Sequence, residues 1–140
     1  MVVSLLVFFA LMQTALVSID SNMKNNLRDE AANIAAMRME QARNLRYNTA
    51  STDIDPLVDL IDDTAAIPAG DIGDCPTTPT VFAAGQVVKR NFRNITDFKF
   101  CTNRDVTVID SNTKRVTIRV GWKWRNEDYN HNISTIKKIQ

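Results

Sequence analysis

The fold is decided by an N-terminal apolar stretch, MVVSLLVFFALMQTALVSI, which occupies residues 1–19. It contains no charged residue, no proline and no glycine. As an α-helix with a rise of about 1.5 Å per residue it would span roughly 28 Å, close to the hydrocarbon thickness of a bilayer. The chain continues without proline or glycine as far as Pro56, so we expect the apolar helix to run on into a polar one.

The residues that follow, 20–47, have the pattern of an amphipathic helix. Apolar residues recur three and four positions apart, as on one face of a helix, at Met23, Leu27, Ala31, Ile34, Ala35, Ala42 and Leu45. Arg38 interrupts this stripe, and we expect its long stem to lie along the apolar surface. A helix from Met1 to about Tyr47 would be roughly 70 Å long. We therefore expect its apolar half to protrude from a small domain.

Charge is distributed unevenly along the chain. All 33 Asp, Glu, Lys and Arg residues follow Ile19. Residues 47–88 contain seven Asp and no Lys or Arg, whereas residues 89–140 contain twelve basic and five acidic residues. The net charge of +1 does not predict bulk attraction to nucleic acid or to anionic lipid.

The acidic segment, residues 48–80, reads mainly as loop. Asn48–Asp53 is polar, and Ala65–Thr80 is rich in proline and glycine. Between them we expect a short helix over Pro56–Asp63, with Asp55 as its N-cap and proline at its first position.

The two cysteines are Cys75 and Cys101. Beside an N-terminal membrane segment, they favour a single disulfide outside the cytosol over two unrelated thiols. The apolar segment reads as an uncleaved anchor rather than a signal peptide. No Lys or Arg precedes it and no Ala-x-Ala sequence ends it.

After Thr80 the hydrophobic period changes from helical to alternating, which indicates an antiparallel sheet. We expect a turn at 110–113 and strands over Gln86–Phe92, Thr96–Thr102, Val106–Asp110, Arg115–Arg125 and Asn130–Ile139. The fourth strand has an apolar face that needs a cover, made by Val116, Ile118, Val120, Trp122 and Trp124. Leu27, Ile34 and Leu45 of the helix can cover it. The predicted fold is therefore α+β, with an apolar half-helix at 1–19 and a head at 20–140, divided into helix 20–47, loop 48–80 and sheet 81–140.

Both ends of this chain resemble those of type IV pilin-like proteins. Residues 2–47 are similar to the family's N-terminal helix. The run RVTIRVGWKWRNEDYNHNISTIKK, residues 115–138, resembles the last hairpin of minor pilins of the PilV kind and of minor pseudopilins of type II secretion. The matching features are the alternating strand from Val116 to Trp122, then His131 and Ser134–Thr135. The family's processing signal, a basic leader ending in Gly-Phe-Thr-Leu-Ile-Glu, would lie ahead of Met1, so its assembly glutamate matches no residue here.

The resemblance implies a structural subunit and no enzyme. The subunit would sit in the bacterial inner membrane and then join an extracellular filament, with other pilin or pseudopilin subunits as partners. Its helix contacts would be made by Val2, Val3, Leu5, Leu6, Val7, Phe8, Phe9, Leu11, Met12, Leu16 and Val17. The alternative is a membrane-anchored periplasmic binding module that forms no filament.

Three other functions compete with plain structural roles for these residues, and we expect no cofactor. A catalytic pair of His131 with Cys101 would lose its thiol to the disulfide. Calcium could bind the aspartates, although their spacing is not that of an EF-hand: Asp53, Asp55, Asp59, Asp62, Asp63, Asp71 and Asp74. Single-stranded DNA could bind basic strands that carry aromatic residues. The residues concerned are Lys89, Arg90, Arg93, Lys99, Arg104, Lys114, Arg115, Arg119, Lys123, Phe92, Phe98 and Phe100.

Overall fold

A computed structural model describes residues 2–47, 59–78 and 80–139. Helix α1 spans Val2–Asn44 without interruption, as the lack of proline and glycine predicts. By compactness the chain divides into two units, Met1–Glu30 and Ala31–Gln140. The second unit contains the end of α1 and everything that follows it.

The second unit is built on a four-stranded antiparallel sheet in which neighbouring strands are consecutive in the chain. Its strands are β1 (Gln86–Phe92), β2 (Ile95–Asp110), β3 (Thr113–Trp124) and β4 (Glu127–Lys138). The bounds of β1 are those predicted. The two predicted strands Thr96–Thr102 and Val106–Asp110 are wrong as separate elements, because they form the single strand β2. The final hairpin turns at Arg125 and Asn126, both with positive φ, as a type I′ hairpin turn requires.

One face of the sheet packs against the end of α1, as the predicted α+β arrangement requires. The buried helix residues of this layer are Ala31, Ile34, Ala35, Met39 and Ala42. The buried apolar sheet residues on this face are Phe100, Val116, Ile118, Val120 and Trp122. Leu27 is also buried, whereas Leu45 and Trp124 are half-buried. Each fully buried Val, Leu or Ile contributes about 1.5–3 kcal/mol relative to exposure, so this layer is the main core.

The opposite face of the sheet is covered by the segment that precedes β1. A small apolar cluster forms there from Ile67, Cys75, Phe82 and Cys101. Cys75 and Cys101 form the predicted disulfide, which ties the segment to β2 across a separation of 26 residues. In the chain-entropy model, closing such a loop stabilises the fold by about 3.5 kcal/mol.

Gly121 of β3 faces this covering segment. A Cβ atom at this position would lie 2.6 Å from Cζ of Phe82 and 2.8 Å from Cγ of Pro76. The missing side chain therefore allows the Phe82 ring and Pro76 to pack directly on the strand backbone.

The covering segment differs from its prediction in two places. Residues 59–63 are not helical, so the predicted helix Pro56–Asp63 is wrong over the part that the structure describes; its start and the loop Asn48–Asp53 lie outside the described residues. The stretch 65–80, expected to be loop throughout, contains the short helix α2 (Ala69–Ile72), and a 3-10 helix follows at Thr80–Ala83.

Candidate functional site

The candidate site is the apolar surface of α1, which we define as Val3–Ile19. Every residue in this range is exposed, with the large apolar side chains between 50% (Met12) and 75% (Val3) accessible. The filament residues predicted from the sequence lie on this surface: Val3, Leu5, Leu6, Val7, Phe8, Phe9, Leu11, Met12, Leu16 and Val17. The backbone of Val2 is helical, but its side chain lies outside the described part. Contiguous exposed apolar surface on this scale marks a membrane or protein contact.

One polar residue within the apolar surface, Thr14, has a partner inside the helix. Thr14 Oγ1 donates a 2.9 Å hydrogen bond to the Ala10 carbonyl one turn earlier, so its hydroxyl is satisfied within the helix. The first charged pair follows directly after the surface, where Lys24 Nζ lies 3.5 Å from Asp20 Oδ2. The backbone of an α-helix is satisfied internally, so the backbone of this surface can leave water without losing hydrogen bonds.

In the described part of the chain, one helix is long and apolar enough to cross a membrane, by length and composition alone. It lies near the N-terminus, and its apolar window has a mean hydropathy of 1.9 and no buried part. The apolar surface of α1 can therefore act as a membrane anchor, or it can exchange lipid contacts for contacts with other apolar helices.

Within the second unit, two long basic side chains fix the end of α1 to the sheet. Arg38 donates a 3.0 Å hydrogen bond to Oε1 of Gln86 at the start of β1. Lys137 Nζ of β4 donates to the carbonyl oxygens of Arg43 (2.7 Å) and Leu45 (2.5 Å). The last carbonyls of a helix, such as that of Arg43, lack partners within the helix, and a cation near them also interacts favourably with the helix dipole. Burial, and then the charge of Lys114, lower the pKa of Lys137.

Arg38 has a larger role than its sequence position predicted. Its side chain is buried, and Nη2 lies 2.5 Å from Oδ2 of Asp63, while Arg104 Nη2 lies 3.6 Å from Oδ1 of the same carboxylate. Burial lowers the pKa of Arg104, and the charge of Asp63 opposes that shift. The signal in the sequence was an arginine within an apolar stripe in a chain whose next segment has seven aspartates and no cation. A buried carboxylate partner follows from that combination.

The aspartates proposed for calcium are engaged within the domain. Asp59, fully buried, receives a 2.8 Å bond from Arg46 Nε, and Asp62 accepts one from the Val106 amide. Asp71 and Asp74 both contact Lys99 Nζ, at 2.7 and 2.5 Å. Asp53 and Asp55 lie outside the described residues. Within residues 2–47, 59–78 and 80–139, no three acidic, His or Cys side chains form a group that could hold a metal ion.

The basic and aromatic residues proposed for DNA do not form one surface. Phe98 packs edge-on against Phe92 and Phe100. Phe98 also packs against Trp124, and Phe100 against Trp122, with the rings tilted. Arg104 and Lys114 are buried, and Lys114 Nζ lies over the Tyr47 ring and donates to the Leu60 carbonyl. Lys89, Arg93 and Arg115 are exposed, whereas Arg90, Lys99, Arg119 and Lys123 are half-buried.

The proposed catalytic pair lacks its nucleophile. Cys101 is bonded to Cys75, and His131 lies in β4 opposite Val120, half-buried. This arrangement provides no thiol for nucleophilic attack.

Comparison with known proteins gives no relative from which a function could be transferred. No protein-family model, no curated protein and no solved structure matches this chain.

Proposed function

We propose that this chain is a structural subunit of a type IV pilus or of a related secretion pseudopilus, of the minor-pilin kind. The observation that carries the proposal is the exposed apolar surface Val3–Ile19 on the same uninterrupted helix whose end packs on a small antiparallel sheet. The disulfide between Cys75 and Cys101 supports an oxidising compartment for the domain. The subunit is held in the inner membrane by this surface and then enters an extracellular filament.

Assembly in this proposal is an exchange of helix contacts. Lipid tails are as apolar as leucine, so the gain on leaving the bilayer comes from close packing between helices rather than from the hydrophobic effect. Small residues allow such approach, and the apolar surface contains Ala10 and Ala15 between its larger side chains. Other pilin or pseudopilin subunits are the partners.

The decisive experiment separates packing from anchoring. Ala15→Leu keeps the surface apolar and leaves membrane insertion intact, but it adds bulk where helices would approach. We expect the variant to stay in the membrane fraction and to fall several-fold in sheared surface fibres, detected with antibody against the domain. Leu16→Met, which conserves volume, is the matched control and should be incorporated like the parent chain.

The competing function is a membrane-anchored binding module without a filament. In that case the parent chain, Ala15→Leu and Leu16→Met would all be found in the membrane fraction and none of them in fibres. That result would overturn the proposed function.

A further inference from the structure

The outer edge of β4 is open in the described part of the chain. Strand β4 pairs with β3 through twelve consecutive rows without a register shift, and it is the last strand of the sheet. Its middle, residues 129–136, contains no charged residue and no proline. Edge strands that avoid further pairing are usually short, bulged or charged along their length. Strand β4 has none of these protections in its middle, so its backbone groups can accept another strand.

The opposite edge of the sheet is β1, which differs from β4 in length, charge and register. It is seven residues long, carries Lys89 and Arg90, and loses its regular register with β2 after Arg90. Its first part, Gln86–Arg90, is regularly paired on the inner side. This part can therefore present a regular outer edge with two positive charges.

The charges of the two edges lie in the same rows of the sheet. Val87 is opposite Cys101, Cys101 is opposite Gly121, and Gly121 is opposite Asn130. Strands β1 and β4 run in opposite directions. Lys89 lies two residues after Val87 in β1, and Asp128 lies two residues before Asn130 in β4. Lys89 and Asp128 therefore share a row. One row beyond, Arg90 shares a row with Glu127.

We propose that β4 of one copy pairs antiparallel with β1 of a second copy, with Val87 of the second copy opposite Asn130. This register places Lys89 opposite Asp128 on the disulfide-bearing face and Arg90 opposite Glu127 on the helix-bearing face. Opposite charges directly across an antiparallel pair are favourable, and their side chains share a face. The three rows beside these charged rows carry no charge and pair Gln86, Val87 and Val88 of one copy with His131, Asn130 and Tyr129 of the other.

The alternative is that β4 of one copy pairs with β4 of a second copy, because Asp128 of one copy could face Lys138 of the other. That contact uses the same surface twice and closes as a dimer, whereas the β4–β1 contact leaves one edge of each kind exposed and can repeat. The choice of β1 rests on the proposed function, since a polymerising subunit needs a contact that repeats.

Cysteine cross-linking of the full chain in detergent micelles tests the pairing. Directly opposite residues in an antiparallel pair have Cα atoms about 4.5–5.5 Å apart, which lies within the range of about 4.4–6.8 Å that a disulfide spans. Lys89→Cys and Asp128→Cys chains are purified separately, mixed and oxidised. We expect a covalent dimer from the mixture and none from either chain alone. No dimer from the mixture, or a dimer from Asp128→Cys mixed with Lys138→Cys, would overturn the proposal.

A charge exchange in the neighbouring row then tests specificity. Glu127→Lys, added to the Asp128→Cys chain, should lower the cross-linking yield several-fold. Arg90→Glu, added to the Lys89→Cys chain, should restore it. A cross-linking yield that is unchanged by both substitutions would contradict the charge pairing. Loss of the cross-link with normal fibre incorporation overturns the edge pairing alone, whereas absent fibres with the cross-link intact overturn the filament function alone.

Discussion

A methyl group added at Gly121 would clash with buried atoms of Phe82 and Pro76. Gly121→Ala places a Cβ 2.6 Å from the Phe82 ring and 2.8 Å from Pro76, both in the segment that covers β3. Overpacking of this kind costs about 1–3 kcal/mol. We expect a lower urea midpoint, followed by tryptophan fluorescence. Gly70→Ala is the matched control, because nothing lies within 4 Å of its added carbon. Equal midpoints for the two variants would contradict the close packing at Gly121.

Arg38 carries a buried charge in the second unit. Its side chain is 5% exposed and that of its partner Asp63 is 9% exposed, so Arg38→Ala leaves a buried carboxylate with a weaker set of partners. Breaking a buried pair costs about 3–5 kcal/mol, whereas an exposed pair contributes about 0–1 kcal/mol. Arg43→Ala is the control, because Arg43 and Glu40 are 54% and 64% exposed. Urea unfolding should show a large loss for the first variant alone. Similar losses would disprove the buried role.

At the scale of elements, the disulfide holds the covering segment on the sheet. Replacing Cys75 and Cys101 together by alanine opens the loop that the bridge closes across 26 residues. We expect the free energy of unfolding to fall by about 2–4 kcal/mol, measured by urea unfolding in detergent. The parent chain under reducing conditions should fall by a similar amount, while the double variant should not respond to reductant. A double variant that still responds would show that the effect lies elsewhere.

The contact of α2 with β2 should make stability depend on pH. The hydrogen bond from Lys99 lowers the pKa of Asp71, and the two carboxylates, Asp71 first, raise the pKa of Lys99. The contribution of Asp71 is therefore present above its unfolded pKa of about 3.9 and is lost as pH falls through the lower folded value. The contribution of Lys99 is present below about pH 10.4 and is lost at higher pH.

Lys99→Met should therefore reduce the loss of stability between neutral pH and about pH 3, because the Asp71 carboxylate no longer loses a partner on protonation. Urea midpoints across this pH range measure the effect. Lys138→Met, at an exposed position of β4, should keep the pH dependence of the parent chain. An unchanged pH profile for Lys99→Met would contradict a stabilising contact.

The sequence pattern predicts some elements correctly and others wrongly. The wrongly predicted elements have polar side chains whose hydrogen-bond partners lie in distant parts of the chain. Helix α1, β1 and the apolar face of β3 follow from breakers and periodicity within one segment. Strand β2 was divided because Asn103, Arg104 and Asp105 interrupt its pattern. Each of these side chains bonds elsewhere in the fold, to the Ala84 carbonyl, the Ile61 carbonyl and Arg119 respectively.

The helix predicted over 59–63 is wrong for a related reason. Asp62 and Asp63 accept hydrogen bonds from the backbone amides of Val106 and Arg104 in β2, instead of serving a helix. These partners are more than forty residues away in the chain. A prediction from neighbouring residues therefore cannot identify these partners. The apolar surface of α1, in contrast, is predicted from the residues of a single segment.

At the scale of the whole molecule, a single charge should shift the balance between membrane and water. The eleven Val, Leu, Ile and Phe residues in 2–19 each favour insertion by about 0.3–0.6 kcal/mol, roughly 3–7 kcal/mol together. An arginine at the centre of a span costs about 2.5–3.5 kcal/mol. Leu11→Arg, in the middle of the apolar surface, should therefore move a measurable share of the chain from the membrane pellet to the soluble fraction after alkaline extraction. Asn25→Arg adds the same charge outside that surface and should leave the pellet unchanged, so equal release of the two variants would mean that Val3–Ile19 is not the anchor.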